Sequence, residues 1–277
     1  MPLKNMTKNW REVIRSAAEV DLSSLLPSNI DPTILAGYKA QSHLLLELYR
    51  STHAAVEEVA WEGSDTISVA MIRPFSRGVI AINSTNATVQ PTYDFGTFSH
   101  PTDLEVAVES LKKVREWMAS EPMQEAGPIE TYPGTSVSTD SQISASIRTF
   151  ATSSWQHPQS SCAMMKRELG GVVDSELRVY GLNNNLRIVD ASIFPMAVGG
   201  HTSATVYAVA EKASPNLFLK TAFVLANVCS TGCGHHQGCA EMRLDCRKFL
   251  ASSIFSIGAA TVSRRRPSQA FNGREDG

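Results

Sequence analysis

The amino-acid sequence predicts an α+β fold in which a mostly antiparallel sheet is flanked by helices. Apolar residues recur at helical spacing within residues 35–59 and again within residues 104–118. Between these two patterns, residues 69–82 have the composition of two short strands joined by a turn at residues 74–78. Helices grouped around short strands in this way favour the α+β class.

The composition is that of a globular protein. The chain has 277 residues, 43% of them hydrophobic, and a formal net charge of −2. This length allows one large or two smaller globular units, and neither charge nor composition favours binding to nucleic acid or to a membrane. The first residues lack the apolar core of a secretory signal, so we expect a cytoplasmic location unless an N-terminal part is missing.

Two capping boxes predict helix starts. Residues 102–105 read Thr-Asp-Leu-Glu and residues 139–142 read Thr-Asp-Ser-Gln. Further along, residues 186–190 alternate as in a strand that ends at Asp190. A helical apolar pattern then begins at Val206, with Thr202 or Ser203 placed to cap the helix.

The stretch 154–214 contains the best candidates for chemistry. His157 precedes a proline, Asp190 ends the predicted strand, and His201 lies in the turn that enters the last helix. An imidazole ring titrates near neutral pH, so a pair of histidines can accept a proton and donate a hydrogen bond in one site. A helix N-terminus beside them favours negative charge.

Several motifs in this stretch occur in an order and spacing that resemble a known family. They read HPQSSC, GVVD, LRVYG, LRIVDAS, GHT and AEKA, at residues 157–162, 171–174, 177–181, 186–192, 200–202 and 210–213. The chain resembles the C-terminal half of the glucose-methanol-choline (GMC) FAD-dependent oxidoreductases. Upstream, RPFSRG at residues 73–78 and FSHPTDL at residues 98–104 are similar to two further segments of that family.

The resemblance implies a particular domain organisation. It implies a GMC-type substrate domain together with the C-terminal strand–helix part of an FAD-binding domain, with the N-terminal Rossmann part missing. We therefore expect a helical cap or substrate-domain remnant at residues 1–68, the GMC C-terminal domain at residues 69–218, and an irregular, disordered extension at residues 219–277.

The resemblance also implies an activity and roles for individual residues. The activity is FAD-dependent oxidation of a small-molecule alcohol to a carbonyl compound, as in the tailoring of a natural product. His157 would be the principal acid/base and His201 its catalytic partner. Asp190 and Ala191 would approach the FAD, and His201, Thr202 and Ser203 would face the flavin at the start of the last helix.

The sequence leaves two functions open. It contains no Gly-x-Gly-x-x-Gly turn of the kind that holds the FAD pyrophosphate. The first hypothesis is an oxidoreductase that works with a separate flavin-binding half. The second is a truncated, inactive remnant that at most binds a ligand or a partner.

Four of the five cysteines lie in the C-terminal extension, at Cys229, Cys233, Cys239 and Cys246. Their spacings match no common zinc pattern, although two histidines lie nearby. We therefore expect no metal site there.

Overall fold

The computed structural model describes residues 1–61, 66–86, 88–182, 185–214, 249–253 and 255–264. Within these ranges the helices are α1 Leu3–Met6, α2 Trp10–Glu19, α3 Pro32–Arg50, α4 Pro101–Met118, α5 Glu121–Gln124, α6 Asp140–Phe150 and α7, residues 202–214. The strands are β1 Glu57–Ala60, β2 Thr66–Met71, β3 Gly78–Ala81, β4 Thr92–Asp94, β5 Pro128–Glu130, β6 Pro158–Gln159, β7 Phe249–Ser253 and β8 Phe255–Arg264.

The strands form two four-stranded sheets. Their orders are β1-β2-β8-β5 and β4-β3-β7-β6. Every pairing between the described strands is antiparallel, which agrees with the sheet type that the sequence predicts. The two predicted strands on either side of residues 74–78 are confirmed as β2 and β3.

The main hydrophobic core lies between the helices and β2. It contains buried side chains from five helices and from this strand, among them Leu3, Val13, Leu45, Ile67, Met71, Val106, Leu111 and Ile147. Burying a side chain of this size contributes about 1.5–3 kcal/mol. The apolar residues that keep a helical period in α4 are therefore the ones that hold it against α2 and α6.

The two predicted capping boxes have different outcomes. At α6 the box is confirmed, because the Thr139 hydroxyl accepts from the Gln142 amide and the Gln142 side chain returns the bond. At α4 the prediction is wrong. That helix begins at Pro101, directly after His100, and Thr102 and Asp103 are buried in its first turn.

Asp103 instead holds the turn between β2 and β3. Its carboxylate oxygens accept the backbone N–H groups of Phe75 and Ser76, at 2.9 and 2.7 Å. The Ser76 hydroxyl in turn accepts from the His100 amide at 2.9 Å. The Asp103 side chain is fully buried, so α4 fixes the turn through hydrogen bonds that water cannot replace.

Arg77 closes the same turn from the other side. Its Nη1 donates to the carbonyl oxygens of Pro74, Phe75 and Ser76, and its Nε and Nη2 donate to Oε1 of Gln41 on α3. The Tyr38 hydroxyl, also on α3, donates to the Phe75 carbonyl at 2.9 Å. The turn is therefore clamped between α3 and α4.

The strand predicted at residues 186–190 is wrong. The structure shows only a single bridge between Arg187 and Arg178 in this segment. Asp190 is the N-cap of a short 3₁₀ helix, Ala191–Ile193, and its side chain accepts from the Ser192 amide at 2.8 Å. Within the described residues this segment pairs only with residues 177–179, where the Val179 N–H donates to the Leu186 carbonyl and the Ile188 N–H donates to the Leu177 carbonyl, and this pairing is too short to form a strand.

Most of the predicted C-terminal extension, including its cysteines, lies outside the described residues. Its two described stretches are β7 and β8, and each pairs with two other strands. The division into residues 1–68, 69–218 and 219–277 stays a prediction. None of the described helices is long and apolar enough to cross a bilayer.

Replacing the buried carboxylate tests the clamp on the turn. We expect Asp103→Asn to lower the free energy of unfolding by about 2–4 kcal/mol, because an amide group can accept only one of the two N–H bonds and turns a donor toward the other. Urea denaturation at neutral pH measures this change.

The matched control is Asp31→Asn at the N-cap of α3, where the exposed Asp31 carboxylate accepts from Thr33 at 2.8 Å. Asparagine caps a helix as well as aspartate does, so this variant should unfold like the wild type. Equal stability of the two variants would contradict the role assigned to Asp103.

Candidate active site

His157 is held in a loop that leads into β6. Its backbone N–H donates to the Ser154 hydroxyl at 2.9 Å. Beyond β6, the chain runs beside the short 3₁₀ helix Ala191–Ile193: the Ser160 amide donates to the Ala191 carbonyl at 3.2 Å, and the Cys162 amide donates to the Ser192 carbonyl at 2.8 Å. The His157 loop and the Asp190 segment are therefore neighbours.

His201 lies directly before α7, and its ring faces that of His157. The ring centroids are 5.2 Å apart and the planes meet at 72°. The Trp155 ring stacks on His201, with a distance of 6.2 Å between the ring centroids and an angle of 22° between the planes. Val206 and Val209 of α7 pack against a small core formed by Val173, Ile193 and Phe194, which anchors the helix that carries His201.

Glu58 on β1 holds the second histidine. Its Oε1 lies 3.0 Å from Nε2 of His201. A carboxylate at this distance fixes the orientation of the imidazole ring and favours a proton on that nitrogen. The site is thus assembled from three separate parts of the chain, since Glu58, His157 and His201 lie on different elements.

Gln159 joins the two histidine-bearing loops. Its Oε1 accepts from the Val198 amide at 3.3 Å, and only 1% of the residue is exposed. Its Nε2 is buried and has no hydrogen-bond partner within the part of the chain that the structure describes. Val198 lies three residues before His201, and Gln159 lies two residues after His157. This bond therefore ties the segment that carries His157 to the segment that carries His201.

Ser160 has a left-handed backbone conformation with φ 72°. Glycine adopts this conformation without steric cost, whereas serine is strained by about 1 kcal/mol or more. The loop keeps the glycine-type backbone even though a side chain is present.

The pKa of His157 is lowered from its ordinary value. Burial is the largest cause, and the neighbouring His201 acts in the same direction; the Trp155 backbone and the Glu58 carboxylate oppose them. A lowered pKa leaves the imidazole neutral at neutral pH, so the ring can accept a proton.

A cavity of about 680 Å³ opens beside the histidine loop. One wall is formed by β3, β4 and the adjoining Phe95, and the other by residues around β6 and the start of the short 3₁₀ helix. The residues of this second wall include Gln156, Pro158, Gln159, Asp190, Ala191 and Ser192. The volume is in the range of pockets that hold small organic ligands and cofactors.

The structure brings the predicted site residues together in two groups. His157 and His201 form one group, and Asp190 and Ala191 line the cavity. Thr202 is buried in the first turn of α7 and Ser203 is exposed, and neither lines the cavity. Because α7 begins at residue 202, both residues lie inside the helix. The prediction that one of them is the N-cap is therefore wrong.

Sequence reasoning missed Glu58, Trp155 and Gln159. Glu58 lies 143 positions from His201, so no local pattern could connect them. Trp155 lies two residues before His157 and Gln159 two residues after it. Their large side chains, so close to a candidate catalytic histidine, were the signal in the sequence that could have identified them.

Comparison with known proteins now identifies the family. Residues 74–210 match the family model for GMC oxidoreductases. The chain is 36% identical to Dehydrogenase xptC of Emericella nidulans over 74% of its own length and 33% of that protein. The chain belongs to the GMC oxidoreductases, and it spans about a third of the length of this relative.

Solved structures show the same relationship. An FAD-dependent oxidoreductase from Chaetomium thermophilum superposes with a TM-score of 0.76 and 33% identity, over 80% of this chain and 38% of that one. A fungal aryl-alcohol oxidase superposes with a TM-score of 0.70 and 30% identity, over 77% of this chain and 37% of that one.

Removing the second histidine tests the coupling within the pair. We expect His201→Gln to raise the pKa of His157, because the positive charge that His201 can carry disfavours protonation of its neighbour. The pH titration of the His157 ring protons by NMR measures this shift. His43→Gln, an exposed change on α3, should leave the titration unchanged, and an unchanged titration in both variants would exclude the coupling.

Removing the Gln159 acceptor tests the link between the loops. We expect Gln159→Leu to lower the free energy of unfolding by about 0.5–1.5 kcal/mol, since the partly buried Val198 N–H loses its acceptor. Hydrogen exchange at the Val198 amide should become faster. Gln90→Leu, at an exposed position, is the control, and unchanged exchange at Val198 in Gln159→Leu would show that the bond is not formed in solution.

Proposed function

We propose that this chain is the substrate-facing part of an FAD-dependent oxidoreductase that oxidises the hydroxyl group of a small alcohol to a carbonyl group. The observation that carries the proposal is the facing pair His157 and His201, with Glu58 at 3.0 Å from the second ring. Membership of the GMC oxidoreductases and similarity to an aryl-alcohol oxidase support the same reaction.

The cavity beside β6 suits FAD. Its walls combine apolar side chains such as Val79 and Ile80 with the polar segment from Asp190 to Ser192. The buried Nε2 of Gln159, which lacks a partner among the described residues, is a donor available to a ligand with acceptor atoms such as a flavin. In the proposal, Asp190 and Ala191 contact the cofactor, and bound FAD supplies the hydride acceptor of the reaction.

His157 is the proposed general base. Its lowered pKa keeps the ring neutral and able to take the hydroxyl proton of the alcohol. Its backbone bond to Ser154 and the β6 pairing fix the loop, so little reorganisation is needed when substrate binds.

His201 is the proposed second catalytic group. Glu58 holds the ring in place through Nε2, and the Trp155 ring stacks on it. When His201 is protonated, Nδ1 carries the second N–H of the ring and can donate a hydrogen bond to the oxygen that loses its proton to His157. The N-terminus of α7, where Thr202 and Ser203 lie, adds a favourable field for negative charge at the flavin.

The proposal includes a flavin-binding half outside these 277 residues, in the same or in a separate polypeptide. The sequence has no Gly-x-Gly-x-x-Gly turn, and the chain spans about a third of the relative reported above. Apolar surface facing that half would account for exposed side chains such as Ile82 and Tyr93 on the β3–β4 side.

The test begins with the visible spectrum of the purified chain after incubation with FAD and removal of the excess. Although part of the flavin site lies outside this chain, the cavity beside β6 is lined by its own residues, so we expect a retained flavin band. A benzylic alcohol should bleach that band anaerobically. In His157→Asn the band should be retained, while bleaching slows by about 10²–10⁴-fold because the base is absent. His43→Asn should behave like the wild type.

Two outcomes would contradict the proposal. A protein that binds FAD and is bleached equally fast in His157→Asn would remove the assigned base. A protein that retains no FAD would favour the second function, a remnant that only binds a ligand or partner.

A further inference from the structure

Arg73 lies two residues after the end of β2, immediately before the clamped turn. The Tyr49 hydroxyl donates to its carbonyl oxygen at 2.8 Å, and its own Nε donates to the Ala55 carbonyl at 2.8 Å. These two bonds fix the Arg73 backbone and the Nε atom of its side chain. The positions of the two terminal nitrogens, Nη1 and Nη2, are therefore restricted as well.

Nη2 of Arg73 lies against the segment that leads into His201. A Cβ atom added to Gly199 would lie 2.5 Å from Nη2 of Arg73, so the guanidinium rests directly on the Gly199 backbone. Gly199 is two residues before His201. On the other side, Ala55 and Trp155 pack on the same small apolar cluster of Ala70 and Ile72, and Trp155 stacks on His201.

No carboxylate of the described residues forms an ion pair with the Arg73 guanidinium. Only its Nε donates a hydrogen bond to these residues. Arg77, four residues on, is a contrast, because Nε, Nη1 and Nη2 all find acceptors in the turn and in Gln41. An arginine has five N–H donors in a planar fork, and at Arg73 the described residues accept only from Nε.

The surrounding charges permit an anion at this position. Glu58, the acid beside the histidine pair, is paired with His201 at 3.0 Å. Burial lowers the pKa of the Arg73 guanidinium, with Tyr49 acting in the opposite direction. A half-buried cation without a counter-ion is stabilised when a ligand brings one, and a carboxylate matches the guanidinium fork.

We propose that Arg73 binds an anionic oxygen group of the substrate, most simply a carboxylate, so that the alcohol oxidised at the histidine pair belongs to an acidic molecule. This inference rests on the proposed function and names its substrate class. Arg73 is then a specificity-determining residue that anchors one end of the substrate while His157 and His201 act on the hydroxyl group at the other.

The experiment measures ligand binding without turnover. The full chain, free of FAD, is titrated by calorimetry with 4-(hydroxymethyl)benzoate and with 1,4-benzenedimethanol, its neutral counterpart. We expect the wild type to bind the carboxylate roughly 10- to 100-fold more tightly, the range of a hydrogen bond to a charged group. Arg73→Gln should remove this preference.

Arg148→Gln is the matched control, because it removes the same charge from an exposed position on α6 and should keep the preference. Gly199→Ala is a second variant that retains Arg73 but displaces its guanidinium, and it should weaken the preference even if Arg73→Gln fails to fold. Thermal denaturation of each variant reports folding separately.

Equal binding of the two compounds by the wild type, or no binding of the carboxylate, would overturn the inference. So would a preference that survives in the folded Arg73→Gln variant or, if that variant does not fold, in Gly199→Ala. None of these readouts depends on flavin. Failure of FAD binding or of flavin bleaching would contradict the proposed function and leave the binding preference to be decided by calorimetry. Loss of the binding preference would overturn this inference and leave the proposed function to be decided by the flavin experiment.

Discussion

The buried carboxylate of Asp103 is the constraint on which the arrangement of the molecule depends. It accepts two successive backbone amides, from Phe75 and Ser76, and so ties the first turn of α4 to the chain between the two sheets. The direction in which β3 leaves that turn, and the place where Arg73 enters it, both follow from these two bonds. A charged acceptor was needed because two amide donors converge on one point in a region without water.

The histidine pair depends on a second set of contacts that joins distant parts of the chain. β1 supplies Glu58, the loop before β6 supplies His157, and the start of α7 supplies His201. Gln159 connects two of these parts directly through the Val198 amide. In the proposed reaction both rings meet one hydroxyl group, and such an arrangement requires rigid support from several elements.

Local interactions were predictable from the sequence, and non-local ones were not. The Thr139–Gln142 box is correct because its partners are three residues apart. The sequence places Asp103 in a similar box, but its carboxylate accepts the amides of Ser76 and Phe75, which lie 27 and 28 residues earlier. These long-range bonds form because the side chain is buried. Residues 186–190 have strand composition, but within the described residues they pair only with the short segment 177–179, so composition alone predicts the wrong element. His157 and His201 could be recognised because ordered motifs surround them, whereas Glu58 stands in no motif and could be found only from the fold.

The clamped turn has a further consequence for the proton balance of folding. Burial raises the pKa of Asp103 to about 6, against hydrogen bonds from Ser76 and Phe75 and the charge of Arg77. Burial, helped by Arg77, lowers the pKa of the adjoining His100 to about 4. Between pH 4 and 6 the folded chain keeps a proton on Asp103 that the unfolded chain has lost, which makes folding less favourable as the pH rises. Over the same interval the unfolded chain holds a proton on His100 that the folded chain lacks, which makes folding more favourable as the pH rises. The two groups change the stability in opposite directions as the pH rises. Together, therefore, Asp103 and His100 take up or release few protons when the chain folds.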